Sequence, residues 1–191
     1  MESAKRSSLA LALALLLGFA APVQAALVDG VVAATGHEAI ALSLFRAYHT
    51  AFWPDQPAAV AVRRLIDDRL VAAQARRYGQ DLKPAELEAE RKSHARPAGP
   101  TPEEWDRLIA DRALAERFLA FRFGDFVPVT RDQEQAYFDK HRGDFPGTFD
   151  AAQPRIHAIL VPQIRARRID RFKTDLRDRA DVRVNPGLLG L

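Results

Sequence analysis

The chain has 191 residues, carries 28 Lys and Arg against 25 Asp and Glu, and contains no cysteine. That length suits one domain or a core with a small appendage, and so slight a basic excess leaves no footprint for nucleic acid. Without cysteine, disulfides and thiolate metal sites are excluded, so stability must come from an apolar core.

The first 25 residues, "MESAKRSSLALALALLLGFAAPVQA", read as a secretory signal peptide. Lys5 and Arg6 form a positive start, Leu9 to Ala21 an apolar run, and Val23-Gln24-Ala25 a small-residue cleavage pattern. That run falls short of the ~20 residues needed to cross a bilayer, so no stable membrane span is expected after cleavage. Removing the signal leaves 26 basic and 24 acidic residues, a net charge of +2.

"ALVDGVVAATG" then predicts a short strand ending in a turn at Thr35-Gly36. "EAIALSLFRAYHTAF" places Ile40, Leu44 and Tyr48 on one helical face, with Phe45 and Phe52 beside it. "WPDQP" breaks that helix, and Pro57 suits the start of the next one, which carries Val62, Leu65, Ile66, Arg69, Leu70 and Ala73 at helical spacing. Gly79 is its natural stop. A polar outer helix follows from about Pro84. "GPTPEEWDRLI" is a strong helix start, with Thr101 as cap, Pro102 in the first turn and Glu104 completing a capping box. The helix or helix pair it opens runs to about Phe126, and Thr130 with Gln133 repeats the start logic. After a Gly/Pro/Asp linker, "RIHAILV" predicts a strand, followed by a helix with Ile164, Ile169, Phe172 and Leu176 on its apolar side. Val182 and Val184 alternate as in a half-buried closing strand. The expected fold class is mainly α, a multi-helix module with a small sheet built from strands of the two chain ends.

The order of "LVDGVVAATG", "RRLIDDRLVAAQARRYG", "LKPAELEAE", "TPEEWDRLIADRALAERFL" and "PVTRDQEQAYFDKHRGDF" resembles the SurA-type periplasmic chaperones and foldases. The resemblance covers most of residues 27 to 150, and "IDRFKTDLRDRADVRVN" looks like that family's closing helix and strand. It implies a SurA/trigger-factor-like module: signal peptide 1–25, helical core 26–150, and a strand-helix-strand segment, 151–191, completing it. In that family parvulin prolyl-isomerase domains are inserted ahead of the closing helix. Such domains open on a strand resembling R-A-S/R-H-I-L-V. Aligned on "ILV", Ala158 takes the place of the family's histidine and His157 is displaced by one residue, which in a strand reverses its face. Thirty residues follow Val161, too few for the rest of a parvulin domain. His157 is therefore read as an ordinary strand residue.

Nothing else in the chain forms a catalytic or metal constellation. His37, His49, His94 and His141 show no i, i+4 pairing, Ser43 and Ser93 sit in no nucleophile elbow, and there is no phosphate loop. The aromatic group Phe118, Phe121, Phe123 and Phe126 is spread over more than one helix face. It reads first as core, and second as a groove for apolar polypeptide segments.

The expectation is a non-enzymatic, ATP-independent periplasmic chaperone or assembly factor. It would need no cofactor and would bind unfolded or extended segments of exported and outer-membrane proteins. A divergent peptidyl-prolyl isomerase and an accessory subunit with one envelope partner are the alternatives. Edge strands at both chain ends leave a strand-paired or domain-swapped dimer open.

Overall fold

The computed structural model describes residues 29–36, 38–124 and 127–189. The signal-peptide reading, His37 and Phe126 lie outside the described residues.

Two strands open the fold, β1 (Val31–Thr35) and β2 (Glu38–Ala41). The predicted helix from Glu38 is corrected here: its first four residues are β2, and α1 runs only over Leu42–Phe52. The cause is a cap from far back in the sequence. Asp29 accepts from the backbone N–H of Ser43 at 3.0 Å and from its hydroxyl, while Leu42 N–H reaches Gly30 O at 2.7 Å. These bonds satisfy the first donors of α1 and fix its start at Leu42.

α2 (Ala58–Arg77) begins after Pro57, as expected. It ends in a Schellman motif: Gly79 N–H reaches Arg76 O at 2.9 Å and Gln80 N–H reaches Ala75 O at 3.1 Å. Gly79 takes φ 71°, a conformation costly for any residue with a Cβ. α3 (Pro84–Ser93) has no buried residue, in keeping with its polar sequence. α4 (Pro102–Phe123) is one continuous helix. Its capping box is formed in both directions, Glu104 N–H to Thr101 Oγ1 at 3.2 Å and Thr101 N–H to Glu104 Oε2 at 2.8 Å. α5 (Arg131–Lys140) starts in the same way at Thr130 and Gln133.

The larger correction concerns "RIHAILV". It is not a strand but part of α6 (Phe149–Arg179), a helix of 31 residues that spans about 46 Å at 1.5 Å per residue. The segment 151–191 is therefore helix then strand, without the strand predicted in front. Ala152, Ile156 and Leu160 recur every fourth residue and are buried against α5, so the helical period outweighs local β propensity. Pro154 and Pro162 lie inside the helix on exposed positions, where water can take up the carbonyls they leave unbonded.

β3 (Val182–Val184) closes the chain, and the sheet order is β2-β1-β3, all antiparallel. The small sheet from the two chain ends is thus present. Three apolar clusters hold the fold. The main one gathers the sheet, α1, α2 and α4 around Ile40, Tyr48, Leu65 and Trp105. A second packs Val71, Leu114 and Phe118 against Leu176 of α6. The third joins Phe138 and Phe145 to Ile156 and Leu160 at the other end of α6. Between Leu160 and Leu176 no residue of α6 is fully buried, but Ile164, Arg165 and Phe172 are half-buried, so the middle of the helix is partly covered.

Candidate functional site

The C-terminal ends of α2 and α4 meet α6 near Phe172, and the three described phenylalanines of the four singled out from the sequence divide there. Phe118 is 2% exposed, with the Tyr78 ring centroid at 5.8 Å and that of Phe172 at 6.2 Å. It is core. Phe123 is half-buried with its ring 5.5 Å from Phe172. Phe121 points outward and is 72% exposed, and Tyr78, the residue that caps the end of α2, is 60% exposed.

The Arg122 guanidinium lies over three of these rings, 5.1 Å from Phe172, 5.7 Å from Phe123 and 6.0 Å from Tyr78. Such contacts hold aromatic faces in place while a charge keeps the ledge hydrated. A surface of this kind binds apolar side chains without selecting one sequence. Tyr78 and Phe172 were not in the sequence-derived group. Phe172 had been placed on the apolar side of its helix, and Tyr78 carried no signal beyond its position before Gly79.

A cleft of about 520 Å³ lies between β2, α2 and α4 and carries Arg69, Arg76 and Arg107. Two of the three arginines are paired with carboxylates and the third reaches a backbone carbonyl. Arg76 Nη1 is 2.7 Å from the buried Asp111 carboxylate, Arg107 pairs with Glu38, and Arg69 reaches Ala39 O at 3.4 Å. Burial pushes the Asp111 carboxyl up and the Arg69 guanidinium down. This arrangement clamps α2, α4 and β2 together.

His157, placed on a strand from the sequence, is on α6, so the facing argument made for it does not hold. Its Nδ1 is 2.7 Å from the buried Glu134 carboxylate on α5, which also accepts from Gln153 at 2.8 Å. Hydrogen bonds from Gln153 first, and then His157, hold Glu134 below the usual carboxylate range. The other described histidines are also engaged. His49 contacts Gln56 O at 2.8 Å, His141 contacts Tyr137 O at 2.8 Å, and His94 lies edge-on to Phe52.

One half-buried acid, Asp68, stands apart. Tyr48 donates to Asp68 Oδ2 at 2.7 Å and accepts from Trp53 Nε1 at 3.1 Å. Burial pushes the Asp68 carboxyl up to about 7, against the lowering effects of the Tyr48 hydroxyl, Lys173 and Arg112; Glu116 raises it further. Folded Asp68 therefore binds a proton that the unfolded chain has released, between about pH 4 and about pH 7. Its contribution makes stability fall as pH rises through that window, by roughly 1.4 kcal/mol per unit of pKa difference. Asp68→Asn is expected to remove this slope, so that urea midpoints measured across the window diverge from wild type most at the neutral end. An unchanged slope in the variant refutes the assignment.

Among the described residues, no helix is long and apolar enough to cross a membrane, and no group of three His, Asp or Glu could hold a metal ion. No protein-family model, curated protein or solved structure matches this chain.

Proposed function

We propose that the protein is an ATP-independent chaperone or assembly factor of the periplasm that holds extended or unfolded segments of exported polypeptides. The observation that carries this reading is the aromatic ledge. Phe121 at 72% exposure and Tyr78 at 60% lie at the C-terminal ends of α4 and α2, where the Phe123 ring comes within 5.5 Å of Phe172 of α6. Large exposed rings cost solubility, and a charged neighbour such as Arg122 fits an interaction surface. Binding through apolar area alone is weak for each contact and tolerant of sequence, as a holding role requires. The resemblance of the chain's motif order to SurA-type chaperones supports the same reading.

The test is aggregation of a chemically unfolded client, followed by light scattering on dilution with the purified protein. Suppression near equimolar ratio is expected, and Phe121→Ser is expected to weaken it several-fold with the helical circular-dichroism signal unchanged. Absence of suppression by the wild type refutes the proposal. Prolyl isomerisation of a Pro-containing peptide that disappears in His157→Ala refutes it in favour of an enzyme.

A further inference from the structure

The two edges of the sheet are not alike. On the β2 edge Arg69 takes one carbonyl, Ala39 O, at 3.4 Å, whereas β3 has β1 as its one strand neighbour among the described residues. The pairing fixes which β3 groups face outward. Asn185 N–H bonds Val32 O at 2.8 Å, and the register continues as Ala33↔Val184, Ala34↔Arg183 and Thr35↔Val182. Antiparallel pairs alternate between bonded and non-bonded, so Arg183 and Asn185 bond β1. The N–H and C=O groups of Val182 and Val184 then point away from the sheet. Among the described residues no partner takes them.

The side chains of the same two valines line a groove of about 470 Å³, opposite Val62 and Ile66 of α2 and beside Leu189. Val184 is 42% exposed. Arg63 stands at the groove's rim, exposed, and enters no ion pair among the described residues. Unpaired backbone groups at alternate residues, an apolar slot on one face and a free cation beside it form one arrangement. It has the features by which an extended segment adds to a sheet edge.

We infer that the β3 edge is a docking site for an extended polypeptide with apolar residues at alternate positions and an acidic residue beside them. The backbone of the segment pairs with Val182 and Val184, its apolar side chains enter the groove, and its carboxylate meets Arg63. A second copy of this chain fits poorly. The antiparallel register that bonds both valines to both valines of a partner copy places Arg183 directly opposite Arg183, a like-charge pair at the close, non-bonded position. A register shifted outward meets Pro186, which has no N–H to give. The site is distinct from the aromatic ledge and is tested separately from it.

The experiment uses a fluorescein-labelled octapeptide alternating valine with polar residues and carrying two aspartates, titrated by anisotropy into the full chain and into the chain starting at Ala26. Binding is expected to weaken about tenfold or more when the aspartates become lysines, or when alternate peptide nitrogens on the pairing edge are methylated. Val184→Pro removes one outward N–H and no bond to β1, and is expected to abolish binding. Arg63→Glu leaves the strand intact and is expected to reverse the charge preference, which keeps the test decisive if the proline variant misfolds. Phe121→Ser is expected to leave this affinity unchanged while reducing client holding, so failure of one site is separable from failure of the other. Equal binding of the methylated and unmethylated peptides, no binding at all, or a concentration-dependent dimer dissolved by Val184→Pro would each overturn the inference.

Discussion

Phe118→Ala is expected to destabilise the protein by about 3 kcal/mol, the lower end of the 3–5 kcal/mol typical of a buried aromatic truncation. Phe121→Ala, three residues along the same helix, is expected to stay within about 0.5 kcal/mol of wild type. Phe118 fills space among Val71, Leu114 and Leu176, so its loss leaves a cavity where α2, α4 and α6 meet. Tyr78 and Phe172 flank it and are only partly enclosed, which lets them relax inward and lowers the cost. Phe121 makes no comparable contact and is mostly in water. Urea unfolding of both variants, monitored by far-ultraviolet circular dichroism, measures the pair. Equal stabilities would show that the ledge and the core are misassigned. The functional expectation runs the other way, because client holding should depend on Phe121 more than on its neighbour's burial.

Arg177→Ala is expected to cost about 2–4 kcal/mol, because it leaves a buried carboxylate without its main partner. Asp67 on α2 is 6% exposed and is bonded by Arg177 of α6. Arg177 also donates to Thr174 Oγ1 at 2.8 Å, which fixes its orientation. Lys173 Nζ is 3.9 Å from the other Asp67 oxygen and offsets part of the loss, so the cost should stay below that of an isolated buried charge. The double variant Asp67→Ala with Arg177→Ala is expected to recover part of the stability, since neither charge is then stranded. Amide hydrogen exchange should show faster opening of the last turns of α6 and of β3 in Arg177→Ala, with α5 unaffected. If the double variant is as unstable as the sum of the singles, the two side chains do not act as a pair.

Much of the helical frame could be read locally. Thr101 with Glu104, Thr130 with Gln133, and Gly79 are signals that act within one turn of themselves, and each bounds a helix where expected. The first helix and the penultimate segment were not readable in this way. Glu38–Ala41 has the apolar period of the helix that follows it, and Asp29, thirteen residues before the helix begins, decides the boundary. In α6 the prolines and the β-branched residues pointed to a linker and a strand. Contact with Phe138 and Phe145 made the helix the better way to bury Ile156 and Leu160. Consequently His157 could not be placed correctly from strand alternation. Its partner Glu134 is on another helix, and no local pattern announces that pairing.

The candidate surfaces follow the same division. Four phenylalanines were visible as a group, yet helical spacing could not separate buried Phe118 from exposed Phe121, because the answer depends on where α2 and α6 pack. Tyr78 and Phe172 joined the ledge only through tertiary contact. The open edge of β3 is a property of strand order, and its free N–H and C=O groups follow from a register that no single segment encodes.

The amino-acid sequence alone therefore determined the caps at Thr101 and Thr130, the helical stop at Gly79 and the mainly helical class, because propensity and capping act over a few residues. The tertiary structure decided the start of α1, the helical state of residues 154 to 161, which aromatic rings reach solvent and which sheet edge stays open. Those outcomes depend on long-range burial and on hydrogen bonds between distant residues, whose energies outweigh local preference and cannot be assigned until the partners are in place.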